Sequence, residues 1–113
     1  MNTDRDLLEA AAKTAGLHVD MRSTIPDYLW VREIKRHGPY RTWNPLTDDG
    51  DALQLCASLR INVEYIRTMG GIDAGVNAWP AGHGDCGMTV EGDDAAMCAR
   101  RAIVRAAAAM VAG

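Results

Sequence analysis

A chain of 113 residues with 48% hydrophobic and 24% charged positions has the size and composition of one globular domain, which excludes a wholly disordered chain, a collagen-like repeat and a disulfide-rich miniprotein. Its net charge of -3 supplies no overall attraction to nucleic acid or to an anionic membrane. No apolar run approaches the roughly 20 residues of a membrane-spanning helix, and the acidic start Asp4, Asp6, Glu9 lacks the basic-then-apolar order of a signal peptide, so a soluble cytoplasmic protein is expected.

The first predicted element is a helix, since Thr3 can cap it with Asp6 three residues on, and Leu7, Leu8, Ala11, Ala12 and Ala15 form an apolar stripe at helical spacing. Gly16 supplies its left-handed stop. From Tyr28 to Ile34, Leu29 and Val31 alternate with Trp30 and Arg32, and Lys35-Arg36-His37-Gly38-Pro39 turns the chain into Tyr40-Arg41-Thr42-Trp43, which reads as a β-hairpin. Pro45 biases Asn44 away from the helical region, and Thr47 is placed to cap a second helix whose first turn is crowded by Asp48, Asp49 and Asp51. Ala52, Leu55, Cys56 and Leu59 give that helix a buried face, and it ends near Arg60.

A second hairpin is expected from Ile61 to Trp79, with Ile61, Val63 and Tyr65 on one face and Gly70-Gly71 at the turn. After Pro80 comes a loop, and Cys86, Met88 and Val90 then alternate as a last strand. Asp93 and Asp94 open an alanine-rich helix to about Val111, in which Met97, Val104, Ala108 and Val111 line one side with Ile103, Ala107 and Met110 beside them, and Arg100, Arg101 and Arg105 take the rest. Helices at both ends and in the middle, with hairpins between, indicate one α+β domain over residues 1–113 with an antiparallel sheet rather than βαβ winding. The expected core sets Ala52, Leu55, Cys56 and Leu59, with Ile103, Val104 and Ala107, against one sheet containing Val63 and Tyr65.

Few patterns carry chemistry. Gly82-His83-Gly84-Asp85-Cys86-Gly87 matches G-x-G-x-x-G, but Met88-Thr89-Val90 after it reads as strand, so no helix start follows to hold a pyrophosphate. His83, Asp85 and Cys86 form a second candidate loop, for a metal or for a thiol beside an imidazole; the chain has no C-x-x-C pair for zinc, and no metal or cofactor is expected. The odd count of three cysteines, Cys56, Cys86 and Cys98, implies reduced thiols, with Cys56 and Cys98 as packing residues. Asp48, Asp49 and Asp51 do not make an EF-hand, because Arg60 stands at the twelfth position counted from Asp49. The order helix, three strands, helix from Thr47 onward is that of a double-stranded RNA-binding domain, yet Asp93 and Asp94 stand where such domains place phosphate-gripping lysines.

Charge is unevenly placed. From Arg22 to Arg41 the cations Arg22, Arg32, Lys35, Arg36 and Arg41 face only Asp27 and Glu33. Trp30, Arg32, Arg36, Tyr40, Arg41 and Trp43 are therefore the expected contact residues, because arginine with aromatics is the composition that dominates binding hot spots.

The stretch Trp43-Asn44-Pro45-Leu46-Thr47-Asp48-Asp49-Gly50-Asp51-Ala52-Leu53, with Asp6-Leu7-Leu8-Glu9-Ala10-Ala11-Ala12-Lys13-Thr14-Ala15-Gly16-Leu17 before it and Arg100-Arg101-Ala102-Ile103-Val104-Arg105-Ala106-Ala107 after, resembles the phage ABA sandwich domain family of small phage and prophage proteins. Arg60 stands where a glycine is expected at the helix end, and residues 23–40 have no counterpart in the pattern. The resemblance implies a helix/sheet/helix layered sandwich and brings no catalytic residues with it. The expected function is that of a small phage-type accessory protein, in the host cytoplasm if phage-encoded, that binds a protein or a small molecule without catalysis. A nucleic-acid-binding module and a small enzyme using His83 and Cys86 are the alternatives, and a homodimer is left open.

Overall fold

The computed structural model of the chain describes residues 3–20, 28–35, 38–66, 75–82, 88–92 and 94–110. Helix α1, Asp4–Thr14, opens on the expected capping box: the Thr3 hydroxyl accepts from the Asp6 amide and the Asp6 carboxylate accepts from the Thr3 amide, both at 3.2 Å. It stops at Gly16, whose φ of +76° suits a residue without a Cβ. The chain turns directly into β1, Leu17–Val19, a strand too short for its alternation to stand out in the sequence. The expected first hairpin follows as β2, Leu29–Glu33, and β3, Arg41–Trp43. β1 joins its other side, giving an antiparallel sheet in the order β1-β2-β3. Leu29, Val31 and Trp43 are buried on its inner face, which lies over α1.

Between β3 and α2, Asp49–Leu59, the chain is organised by Asn44. Its side-chain oxygen accepts from the Leu46 amide at 2.9 Å, and its carbonyl accepts from the amides of Thr47 at 3.2 Å and Asp48 at 2.8 Å. This turn delays the helix by one residue. Asp48, not Thr47, is the N-cap, accepting from the Asp51 amide at 2.8 Å, while Thr47 is exposed in the turn. Ala52 and Leu55 are buried on the expected face of α2, with Cys56 and Leu59 half-buried beside them. At the far end Arg60 takes the left-handed conformation with φ 55°, at the position where the family resemblance would place glycine.

A second antiparallel sheet comprises β4, Ile61–Ile66, β5, Gly75–Pro80, and β6, Met88–Glu91, in that order. In its register Ile61, Val63 and Tyr65 oppose Pro80, Ala78 and Val76. Val76 and Ala78 are fully buried, yet Tyr65 is 61% exposed. Alternation puts Tyr65 on the expected face, but β4 is the edge strand and the covering helix lies mainly over β5 and β6. That helix, α3, Ala95–Met110, begins beyond Asp94, whose carboxylate accepts from the Met97 amide at 3.0 Å. Met97 itself is 49% exposed in the first turn, against the expectation that it faces the core, and Val111 lies outside the described residues.

From Cys98 onward α3 is enclosed, with Cys98, Ala99, Ala102, Ile103, Val104, Ala106 and Ala107 all buried, because α1, α2 and the second sheet pack around it. Alanine keeps these contacts close without side-chain entropy to lose. At Gly92 the backbone approaches so nearly that an added Cβ would lie 2.9 Å from the Cys98 sulfur. The Thr14 hydroxyl lies 2.9 Å from the Ala107 carbonyl and 3.1 Å from that of Ala10, tying the end of α1 to α3. Arg100 and Arg101 tie the other ends: Arg100 donates to the Leu46 carbonyl at 2.8 Å and to Asp49 at 2.7 Å, and Arg101 to Asp4 at 3.1 and 3.3 Å.

The fold is thus α+β, with helices layered on antiparallel sheet. Its strands divide between two three-stranded sheets rather than forming one: α1 packs on the first, α3 on the second, and the two helices on each other. One connected core runs through all of these layers, from Leu29, Val31 and Trp43 through Leu8, Ala11 and Ala12 to Val104, Val76 and Ala78. Among the described residues no helix is long and apolar enough to cross a membrane.

Candidate functional site

The strand period sorts the residues expected to bind. Because Leu29, Val31 and Trp43 point into the core, Trp30 and Arg32 on β2 and Thr42 on β3 point to the outer face of the first sheet. His18 opposes Arg32 from β1, and Tyr40, just before β3, flanks Arg32 on the other side. His18, Arg32 and Tyr40 form one row across the sheet: the Arg32 guanidinium carbon lies 5.1 Å from the centre of the Tyr40 ring, and the His18 and Tyr40 rings are 6.1 Å apart. In the next rows Trp30 meets Tyr28 edge-on, with 6.0 Å between ring centres and 70° between planes. Of the side chains Tyr28, Trp30, Arg32, Tyr40 and His18, the first four are half-buried, while His18 is exposed. Asp20, which extends β1 beside Trp30 through a 2.8 Å bond from its amide, has a polar partner of its own.

Two of the expected contact residues face the other way. Trp43 is 2% exposed and belongs to the core, since its register opposite Leu29 places it on the inner face. Arg41, opposite Val31, reaches across to α2 and pairs with Asp51 at 3.3 Å; the same carboxylate accepts from the Asn44 amide at 2.9 Å. Arg41 therefore holds the hairpin to the second helix. Arg36, and the loop residues His83, Asp85 and Cys86, lie outside the described residues. His18 is not marked by any pattern in the sequence, because the alternation Leu17-His18-Val19 is too short to register as a strand.

The carboxylates at the start of α2 are occupied with structure. Asp48 caps α2, Asp49 pairs with Arg100 and Asp51 with Arg41, so the acidic first turn is held by its own neighbours. Among the described residues no group of histidines, cysteines and carboxylates is placed to hold a metal ion. The Cys56 thiol lies 3.1 Å from the Ile61 carbonyl and donates to it, and burial pushes its pKa up, which keeps it protonated and a poor nucleophile. Cys98 is fully buried. An open cleft of about 580 Å³ runs between the C-terminal ends of α1 and α2 and the end of β2, lined by Thr14, Gly16, Glu33, Ile34, Lys35 and Leu59.

The α2-β4-β5-β6-α3 order realises the helix, three strands, helix succession of a double-stranded RNA-binding domain, but its last helix starts on Asp94 as cap. The first cations along that helix, Arg100 and Arg101, are paired with Asp49 and Asp4. Comparison of the chain with protein-family models, with curated proteins and with solved structures found no match.

Proposed function

We infer that this is a small binding protein without catalysis of its own, and that it works through the outer face of its first sheet. The observation that carries this reading is the assembly of Tyr28, Trp30, Arg32 and Tyr40 on a face turned away from the core, with Arg32 braced on a tyrosine ring. Aromatic rings and arginine concentrate binding energy at interfaces. The excess of cations between Arg22 and Arg41 and the resemblance to phage and prophage proteins agree with an accessory role in the cytoplasm of a bacterial host.

Site-specific photocrosslinking in cells tests the assignment. A crosslinker at Thr42, exposed on the same face, should form a discrete adduct that is lost on Trp30→Ala; one at Ala57, exposed on α2, should not. Equal adducts at both positions, or an adduct indifferent to Trp30, would reject the outer face.

A further inference from the structure

The chemistry of the partner can be read from the same face, provided that this face is the binding surface. Each of Arg5, Arg41, Arg100 and Arg101 has a carboxylate partner, at 3.4, 3.3, 2.7 and 3.1 Å. Arg32, like Arg60 and Arg105, has no carboxylate paired with it among the described residues, and of these three it is the one whose guanidinium lies over an aromatic ring, that of Tyr40. Cation–π attraction to the ring holds the guanidinium without using up its N–H donors, and such a fork of donors suits a two-pronged bond to a carboxylate.

Trp30 stands two residues from Arg32 on the same strand and face, a separation of about 6.8 Å along the strand. In an extended partner chain, side chains at positions i and i+2 have the same spacing and share a face. A polyanionic strand is a poorer match, because binding phosphates at physiological salt requires several cations along the backbone, whereas the described face offers one arginine in a chain of net charge -3.

We propose that the outer face of the first sheet takes an extended acidic protein segment, with a Glu or Asp on Arg32 and a large apolar side chain two positions away on Trp30. Selection of a random peptide-display library on the immobilised full-length protein, followed by polarisation titration of the enriched peptides, tests this. Enriched peptides should carry a carboxylate and an aromatic or leucine side chain two positions apart. Arg32→Glu and Trp30→Ala should each weaken them about tenfold or more, and replacing the peptide's acid by lysine should restore binding to Arg32→Glu. Arg32→Lys keeps the charge without the fork; it should lose part of the affinity and serves in place of Arg32→Glu if that variant departs from the wild-type circular dichroism.

Enrichment of peptides without the acid-apolar pair, or no enrichment, would overturn the partner chemistry. So would a dT12 oligonucleotide binding more tightly than any peptide; if that binding depends on Trp30, the face itself still stands. Peptides bound equally by wild type and by both variants would overturn the face and the partner together.

Discussion

Asp48 and Thr47 are adjacent, and only one of them holds the helix. Replacing Asp48 by Ala frees the Asp51 amide and should lower stability by about 1 kcal/mol, while Thr47→Ala, in an exposed turn, should change it by less than about 0.5 kcal/mol; urea denaturation of the two variants decides between the caps. The sequence names the cap region correctly and misplaces it by one residue, because capping preference cannot see that the Asn44 carbonyl collects the Thr47 and Asp48 amides first. Cys56 gives a pH-dependent test. Burial holds its folded thiol protonated to a higher pH than an ordinary thiol, so between the unfolded and folded pKa values the unfolded chain holds fewer protons and stability falls as pH rises. That contribution is fully present below the ordinary thiol range. Alkylation followed by mass spectrometry should accordingly be slow at Cys56 at neutral pH and accelerate only in alkali, and a fast reaction at neutral pH would contradict the burial.

At the scale of elements, burial separates two residues that strand and helix periods both assign to the core. Leu55→Ala should cost about 2 to 5 kcal/mol, since the leucine is 3% exposed between α2 and its neighbours. Tyr65→Ala should cost less than about 1 kcal/mol, since most of that ring is already in water. Thermal unfolding of the pair measures how far α3 reaches across its sheet. Periodicity makes the helices and both hairpins legible, because each has enough turns or alternations to register in the sequence. It cannot tell an edge strand from a central one, which is what exposes Tyr65, nor can it detect β1, three residues long, which completes the first sheet and brings His18 to the face. The same limit applies to the candidate site. Trp30, Arg32 and Tyr40 are found from composition, but whether Arg41 and Trp43 join them depends on the register of β3, and the register turns both inward.

Across the whole molecule, stability is concentrated on α3. Arg100 closes α2 and the turn before it onto that helix through a largely buried guanidinium, so Arg100→Ala, which leaves the Leu46 carbonyl without its donor, should cost about 1 to 2 kcal/mol. Arg101 pairs with a mostly exposed Asp4, and Arg101→Ala should cost no more than about 1 kcal/mol; chemical denaturation in low and high salt should show the difference, with the Arg101 effect fading as salt rises. The contacts of α3 also span the chain: Thr14 to Ala107 is 93 residues apart, Arg101 to Asp4 is 97 and Arg100 to Leu46 is 54. Such closures form slowly, because the loop entropy is lost before the contacts reward it. During synthesis α1 and the first sheet are made before α3, so the part of the Leu8, Ala11 and Ala12 face that α3 covers waits until that helix has left the ribosome. A nascent chain stalled before α3 therefore shows apolar surface that the finished protein covers, and is open to aggregation and proteolysis.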